Sequence, residues 1–269
     1  MEKQGFYQLT LPLANDLFSE LSTSIDFEGV TNGRVGNHLV NVSDEGIPIV
    51  RTTTKYNIPA HRFDALHRQI AESIKEAVGE QGQIQLPEVP FNNALIEVYG
   101  QEYFKMGYHS DQCLDLEADS YIALFSCYER PDELTRHHTR KLKVRSKTSE
   151  EEFEFLLENN SVVLFSLATN TQFQHKIVLE PVKGAKPDTD NKWLGITFRK
   201  SKTLIRFQDN LPHFANGGVL KLADEAQRKE FYKLRGQENK RLDFEYPAIT
   251  YTISVADTLV PKTNQASNV

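Results

Sequence analysis

Two kinds of hydrophobic spacing divide the chain. In its first third, apolar side chains recur at three- and four-residue steps. ANDLFSELSTS (14–24) gathers Leu17, Phe18 and Leu21 on one side, and residues 61–78 repeat Phe63, Leu66, Ile70, Ile74 and Val78, with Pro59 just before them and Gly79 stopping the pattern. Both spacings predict helices, the second clearly amphipathic. From Phe91 the period changes to two, and β-branched and aromatic residues dominate FNNALIEVY (91–99), SYIALFSCY (120–128), RKLKVRS (140–146), SVVLFSL (161–167), QFQHKIVLE (172–180) and WLGITFR (193–199). These six segments predict strands. Their connectors are short and polar or contain proline, with no room for crossover helices, so the pairing is expected to be largely antiparallel.

The expected fold class is therefore mainly β with flanking helices (α+β), closed as a double-stranded β-helix or jelly-roll barrel. Further on, KLADEAQRKEFYKLR (221–235) predicts a helix, 247–255 a late strand, and 183–192 a polar loop. The final PKTNQASNV is expected to be disordered. At 269 residues one catalytic domain is expected, with N-terminal helical and lid elements over 1–80, a barrel core over 91–203, a C-terminal addition over 204–260 and a tail over 261–269.

Charge changes the picture in one respect. A formal net charge of -6 offers no broad basic face for phosphate, so nucleic acid is an admissible partner but not a favoured one. The strip Arg136, Arg140, Lys141, Lys143, Arg145, Lys147 is the local exception, and reads more readily as a solvated edge strand guarded by charges. His137 and His138 read as loop residues. Cys113 and Cys127 form neither a disulfide framework nor a zinc signature, which fits a reducing cytoplasm. No run approaches the roughly 20 apolar residues of a membrane span, and the first residues lack the order of a secretory signal.

Candidate chemistry lies in the strands. His109-Ser110-Asp111 places an imidazole and a carboxylate at i and i+2, so in extended chain they leave the same face and can converge on one metal. His175 shares its strand face with Phe173, Ile177 and Leu179 and is directed inward, where it serves either as a ligand or as a buried histidine satisfied by a carbonyl. In WLGITFR, Leu194, Ile196 and Phe198 are apolar while Trp193, Gly195, Thr197 and Arg199 form the other face. If that second face lines a barrel, Arg199 meets an anion; if not, it is a solvated arginine at a strand end. Two imidazoles and a carboxylate with open coordination positions are the facial triad of non-haem Fe(II) oxygenases.

The order His-x-Asp, a distant His, then a Thr-Phe-Arg strand, preceded by the strand ALIEVYG, resembles the AlkB-like branch of the Fe(II)/2-oxoglutarate-dependent oxygenase superfamily over roughly residues 50–203. The resemblance implies a dioxygenase using Fe(II), 2-oxoglutarate and O2, with His109, Asp111 and His175 as iron ligands and Tyr99 and Arg199 as contacts of 2-oxoglutarate on a strand that also carries Thr197. Two positions depart from that pattern. Trp193 stands where the family has a further arginine, and Glu97 where it has an asparagine. The sequence Arg199-Lys200-Ser201 resembles instead the Arg-x-Ser anchor of other branches, which adds Ser201 to the candidates; Lys192 lies on the opposite face. Segment 51–57 occupies the place of a substrate-covering lid, so Arg51, Thr53 and Tyr56, with Glu97 and Trp193, are candidates to touch substrate, the alternative for 51–57 being an ordinary exposed strand. The expected reaction is hydroxylation or oxidative N-demethylation of a C–H bond, with release of succinate and CO2. A small metabolite or a peptide or protein substrate ranks ahead of alkylated nucleic-acid bases, and the alternative of another class is a non-catalytic barrel that serves as a binding module.

Overall fold

The computed structural model describes residues 1–14, 16–82, 84–136, 138–180 and 191–263. Nearly all of the expected 183–192 loop, His137, and the residues 264–269 of the expected disordered tail lie outside the described residues. All six predicted strands form, and two sheets face each other. The large one runs Glu2–Lys3, Phe6–Thr10, Ser161–Ser166, Tyr121–Tyr128, Trp193–Arg199, Asn93–Tyr99, Arg34–Val40 and Glu28–Thr31, with His61–Arg62 pairing beside Arg34–Val40 as its one parallel member. The small sheet runs Glu152–Leu156, Lys141–Ser146, Phe173–Val178. Along its open edge, residues 105–109 add bridges at Lys105 to Val178 and His109 to His175.

Alternation decides what each face buries. Ala94, Ile96, Phe125, Leu164, Ile196 and Phe198 leave the outer face of the large sheet and pack against α1 (Leu17–Thr23) and α2 (Ala65–Gln81) through Leu21, Ile70, Ile74 and Val78. The opposite parity, including Tyr99, Ile122, Leu124, Val163 and Trp193, packs between the sheets on Leu142, Val144, Phe173 and Ile177. Phe6, Phe153, Phe155, Phe165 and Phe173 form an aromatic cluster there, with centroids from 4.8 Å for Phe6–Phe165 to 6.1 Å for Phe6–Phe155. This cluster reaches the functional region through Phe165, 5.5 Å from the His175 ring.

Element ends differ from expectation for local reasons. Helix α2 begins at Ala65 because Asp64 caps it, accepting from the His67 backbone N–H. It passes Gly79 and stops at Gly82, whose φ of 65° is the left-handed conformation that favours glycine. Strand Arg34–Val40 escapes prediction because its buried Asn37 and His38 break the apolar pattern; the Asn37 amide is satisfied by the carbonyls of Asp26 and Pro59, at 2.9 and 3.1 Å. Glu152–Leu156 (EFEFL) alternates as plainly as its neighbours, yet belongs to none of the expected elements.

The basic strip is not an edge. Lys141–Ser146 is the central strand of the small sheet, and its charges are answered across the ladder: Lys141 reaches Glu154 at 2.7 Å and Glu180 at 2.9 Å, Lys143 pairs with the same two carboxylates, and Arg145 donates to Gln174 at 2.8 Å. Arg140 is buried. A second correction concerns 247–255. Only Tyr251–Thr252 is strand, parallel to Lys221–Leu222, followed by a 3-10 turn at Val255–Thr258. Ile249, Tyr251 and Ile253 alternate because they pack on Phe231 of α4 (Glu225–Glu238), while the carbonyls of Ile249 and Tyr251 accept from the Arg51 guanidinium at 2.7 and 3.1 Å rather than from a neighbouring strand.

Arg51 also pairs with the fully buried Asp115, at 2.6 Å, and Asp257 lies close by, accepting from the Thr252 hydroxyl. Burial, reinforced by Asp115 and opposed by Thr252 and Arg51, pushes the Asp257 carboxyl up to about 7. A carboxyl whose folded pKa exceeds its unfolded value holds its proton more tightly when folded. Its contribution to stability is therefore full below about pH 4, falls as pH rises towards 7 and is flat above. Denaturant titrations from pH 4.5 to 8 are expected to show Asp257→Asn gaining stability relative to wild type across that window. Parallel curves for the two proteins would refute the protonated, buried carboxyl.

Candidate active site

His109 and His175 meet because their backbones pair. The His109 N–H donates to the His175 carbonyl at 3.0 Å and the His175 N–H returns to the His109 carbonyl at 2.6 Å, leaving the rings 4.8 Å apart on one face. Asp111 follows two residues on, with Oδ1 at 3.3 Å from His175 Nε2. Ser110, of opposite parity, donates its hydroxyl to the Phe173 carbonyl at 2.8 Å. Asp111 is locked from the other side by α3 (Leu167–Gln172), capped by Ser166: the Asn170 amide accepts from the Asp111 N–H at 2.7 Å and donates to its carbonyl at 2.9 Å.

One potential ligand atom from each of His109, Asp111 and His175 lies within 4.8 Å of the others, a span that a single ion can bridge after small side-chain rotations. Their charge states suit one. Burial alone would raise the Asp111 carboxyl, but Arg199 and the two histidines outweigh it and hold it well below the usual carboxylate range. Burial, with His175 beside it, lowers the His109 imidazole to about 3, so it is neutral. Its Nδ1 lies 3.1 Å from the Gly107 carbonyl, which as acceptor fixes the proton on Nδ1 and turns Nε2 to the shared point. An ionised carboxylate and a neutral imidazole are the donor states a divalent metal requires.

These groups open on a cavity of about 120 Å³. Alternation brings Leu95, Glu97 and Tyr99 to its wall from one strand and Thr197 and Arg199 from the next, as the inward-facing reading of WLGITFR expects. Arg199 does not stand free for an anion. Its Nε donates to Asp111 Oδ2 at 2.8 Å and its Nη2 lies 2.6 Å from the same atom, while the buried Nη1 has no partner among the described residues. Glu97 accepts from Arg34 Nε and from the Tyr99 hydroxyl, both at 2.7 Å. Burial, with Glu97 adding to it, raises the Tyr99 phenol well above its ordinary value, so it remains a donor. Thr53 lines the mouth with Thr52 and Thr54.

Four candidates are placed elsewhere. Arg51 turns from the cavity to Asp115 and the C-terminal carbonyls, an ion pair needed once Asp115 is buried. Tyr56 is buried behind the wall against Leu95 and His38, its hydroxyl packed at Gly36. The Ser201 hydroxyl donates to the Ile49 carbonyl at 2.6 Å and so ties two loops rather than a carboxylate. Trp193 lies behind Tyr99, centroids 4.8 Å apart, with its ring folded over Gly195, where an added Cβ would sit 2.0 Å from the indole.

Residues with no sequence signal complete the site. Gln112 is on the wall, and both of its side-chain amide atoms are buried without partners among the described residues. The end of α4 grips the ligand-bearing segments: Asn239 accepts from the Ser110 N–H at 2.8 Å, Glu238 from the Cys113 N–H at 2.7 Å, and Arg235 donates to the Ser110 carbonyl. Gln174, beside His175, donates to the Asn239 carbonyl at 2.7 Å.

Comparison with known proteins places this geometry. No curated protein matches the chain. Solved structures similar to the chain include the following two. OsALKBH1 is 14% identical, covers 74% of this chain and 98% of its own, and gives a TM-score of 0.49. A Pseudomonas putida prolyl-4-hydroxylase is 13% identical, with 73% and 93% covered and a TM-score of 0.42. The family described as the 2OG-Fe(II) oxygenase superfamily matches residues 9–199, well over half of the chain and inclusive of every residue from His109 to Arg199. This chain therefore belongs to the 2OG-Fe(II) oxygenase superfamily and is a 2-oxoglutarate-dependent dioxygenase using Fe(II), 2-oxoglutarate and O2.

Proposed function

We propose that the enzyme hydroxylates, or by the same step N-demethylates, a C–H bond of a small metabolite or of a peptide or protein side chain. The observation that carries the reading is the convergence of His109, Asp111 and His175 on the wall of one small cavity, with Arg199 neutralising Asp111. When bound there, iron, 2-oxoglutarate and O2 supply oxidative decarboxylation to succinate and CO2 and deliver one oxygen atom to the substrate C–H bond. An N-methyl carbon so hydroxylated leaves as formaldehyde. His109, Asp111 and His175 would hold the metal, and the presence of a carboxylate among them favours hydroxylation over halogenation.

The surrounding residues have separable tasks. Ile122, Leu124, Phe165 and Ile177 keep water from the cavity wall. Asn170, Asn239 and Glu238 fix the backbone of 110–113, so that the two ligands at 109 and 111 keep their spacing. Gln112 offers a donor and an acceptor side by side, which suits an amide-bearing substrate. Against nucleic acid stands the ion pairing of Lys141 and Lys143 with Glu154 and Glu180, which leaves little positive charge on that strand for phosphate.

Three outcomes are expected. Anaerobic addition of Fe(II) and 2-oxoglutarate should produce a visible charge-transfer band that His109→Ala and Asp111→Ala each abolish; a band unchanged in both variants would refute the ligand assignment. Asn239→Ala should weaken Co(II) binding by about tenfold, the low end for groups that orient metal ligands, while the far-ultraviolet spectrum stays that of wild type. Unaltered Co(II) affinity removes the brace from the mechanism. Methylated oligonucleotides should fail to bind even at low salt, and tight binding that collapses with added salt would instead favour the AlkB-like reading, a demethylase of alkylated bases.

A further inference from the structure

The wall of the cavity carries three guanidinium groups, and two of them, Arg199 and Arg235, have their charge answered by a carboxylate other than Glu97. Arg199 grips Asp111, and Arg235 is held by Glu238 at 2.9 Å and by the Ser110 carbonyl. The third, Arg34, lies beside Glu97 and Tyr99. It is the ladder partner of Tyr99 from one neighbouring strand, as Trp193 is from the other. On the Trp193 flank an indole covers Gly195 and brings no charge. On the Arg34 flank, Nε donates to Glu97 and Nη2 pairs with the same oxygen, whereas among the described residues Nη1 has only a long 3.4 Å contact with the Tyr103 hydroxyl.

The charges around Tyr99 do not balance. Its ring has the Arg34 guanidinium 5.8 Å from its centroid and that of Arg140 at 5.2 Å. Arg140 is buried and donates to two neutral carbonyls, those of Tyr103 and Gly100, both at 2.7 Å. Glu97 is the single carboxylate hydrogen-bonded to this group among the described residues. One buried cation, Arg140, and one part-buried cation, Arg34, thus share a single carboxylate, which leaves one positive charge that a bound anion would complete.

We propose that Arg34, oriented by Glu97 and backed by the Arg140 charge, receives the far carboxylate of 2-oxoglutarate through Nη1 beside Tyr99. This rests on the reading that the cavity takes the co-substrate with its 2-oxo acid end towards His109, Asp111 and His175. Glu97 then acts as a positioning residue for Arg34, and the co-substrate supplies the negative charge that the Tyr99 cluster lacks.

The test measures binding rather than turnover, using anaerobic calorimetry on the full chain loaded with Co(II). Wild type should bind 2-oxoglutarate at least about thirtyfold more tightly than 2-oxopentanoate, which replaces the far carboxylate by a methyl group. Arg34→Ala should erase that preference, weakening 2-oxoglutarate by about thirtyfold while leaving 2-oxopentanoate and Co(II) affinities within about threefold of wild type. Because Arg34→Ala leaves Glu97 buried without its cation, the neutral pair Arg34→Met with Glu97→Gln is measured alongside and should lose the same preference. Equal weakening of both acids, or retention of the preference in either folded variant, overturns the assignment of Arg34 alone. A wild-type protein that binds Co(II) but no 2-oxoglutarate overturns the co-substrate reading together with it.

Discussion

A carboxylate buried between a guanidinium and two imidazoles is the constraint around which this molecule is organised. Asp111 is almost fully enclosed, and a lone carboxylate in such a place would take up a proton. It remains ionised because Arg199 arrives from a strand 88 residues away and because His109 and His175 are brought beside it by a backbone pair. Removing Arg199 would leave the carboxylate a buried unpaired anion, and removing Asp111 would leave the guanidinium a buried unpaired cation. The same arrangement that makes the centre competent for a divalent metal thus also fixes the register of the strands that carry it.

The C-terminal addition braces this centre from its helix α4 and brings Arg235 to the cavity wall. Its helix ends at Glu238, and the residues there take up the free backbone groups of 110 and 113, which face no strand partner. A second tie runs through Arg51, whose guanidinium joins Asp115, just past the ligand loop, to the carbonyls of Ile249 and Tyr251. Hydrogen bonds to backbone groups resist displacement of the chain itself rather than of one side chain, so two such ties hold the loop between His109 and Asp115 at both ends.

Charge is handled differently inside and outside. On the outer face of the small sheet, lysines and glutamates alternate across strands and cancel, as Lys141 and Lys143 do against Glu154 and Glu180. Inside, pairs are buried and few, and the cluster about Tyr99 retains an excess positive charge. An exposed pair contributes little to stability, whereas a buried imbalance creates a strong preference for an anion at one place.

Periodicity made a large part of this legible in advance. The parity of Leu194, Ile196 and Phe198 against Thr197 and Arg199 separated helix-facing from barrel-facing residues, and the parity of Phe173 and Ile177 directed His175 inward. A period is a property of one strand, and it says which side a residue takes but not which neighbour it meets there. For that reason Ser201, Tyr56 and Arg51 carried plausible chemistry in sequence yet were claimed by Ile49, His38 and Asp115, and Trp193 turned onto Gly195 behind the cavity. The contributions of Arg34, Asn170 and Asn239 had no local pattern at all, because each works through a partner at least 59 residues away. The sequence by itself determined the six core strands, their buried faces and the three candidate ligand residues, since short-range alternation and side-chain chemistry suffice for these. Only the tertiary structure decided which arginine meets which carboxylate, because that choice depends on strand order and on the cost of leaving a buried charge unpaired.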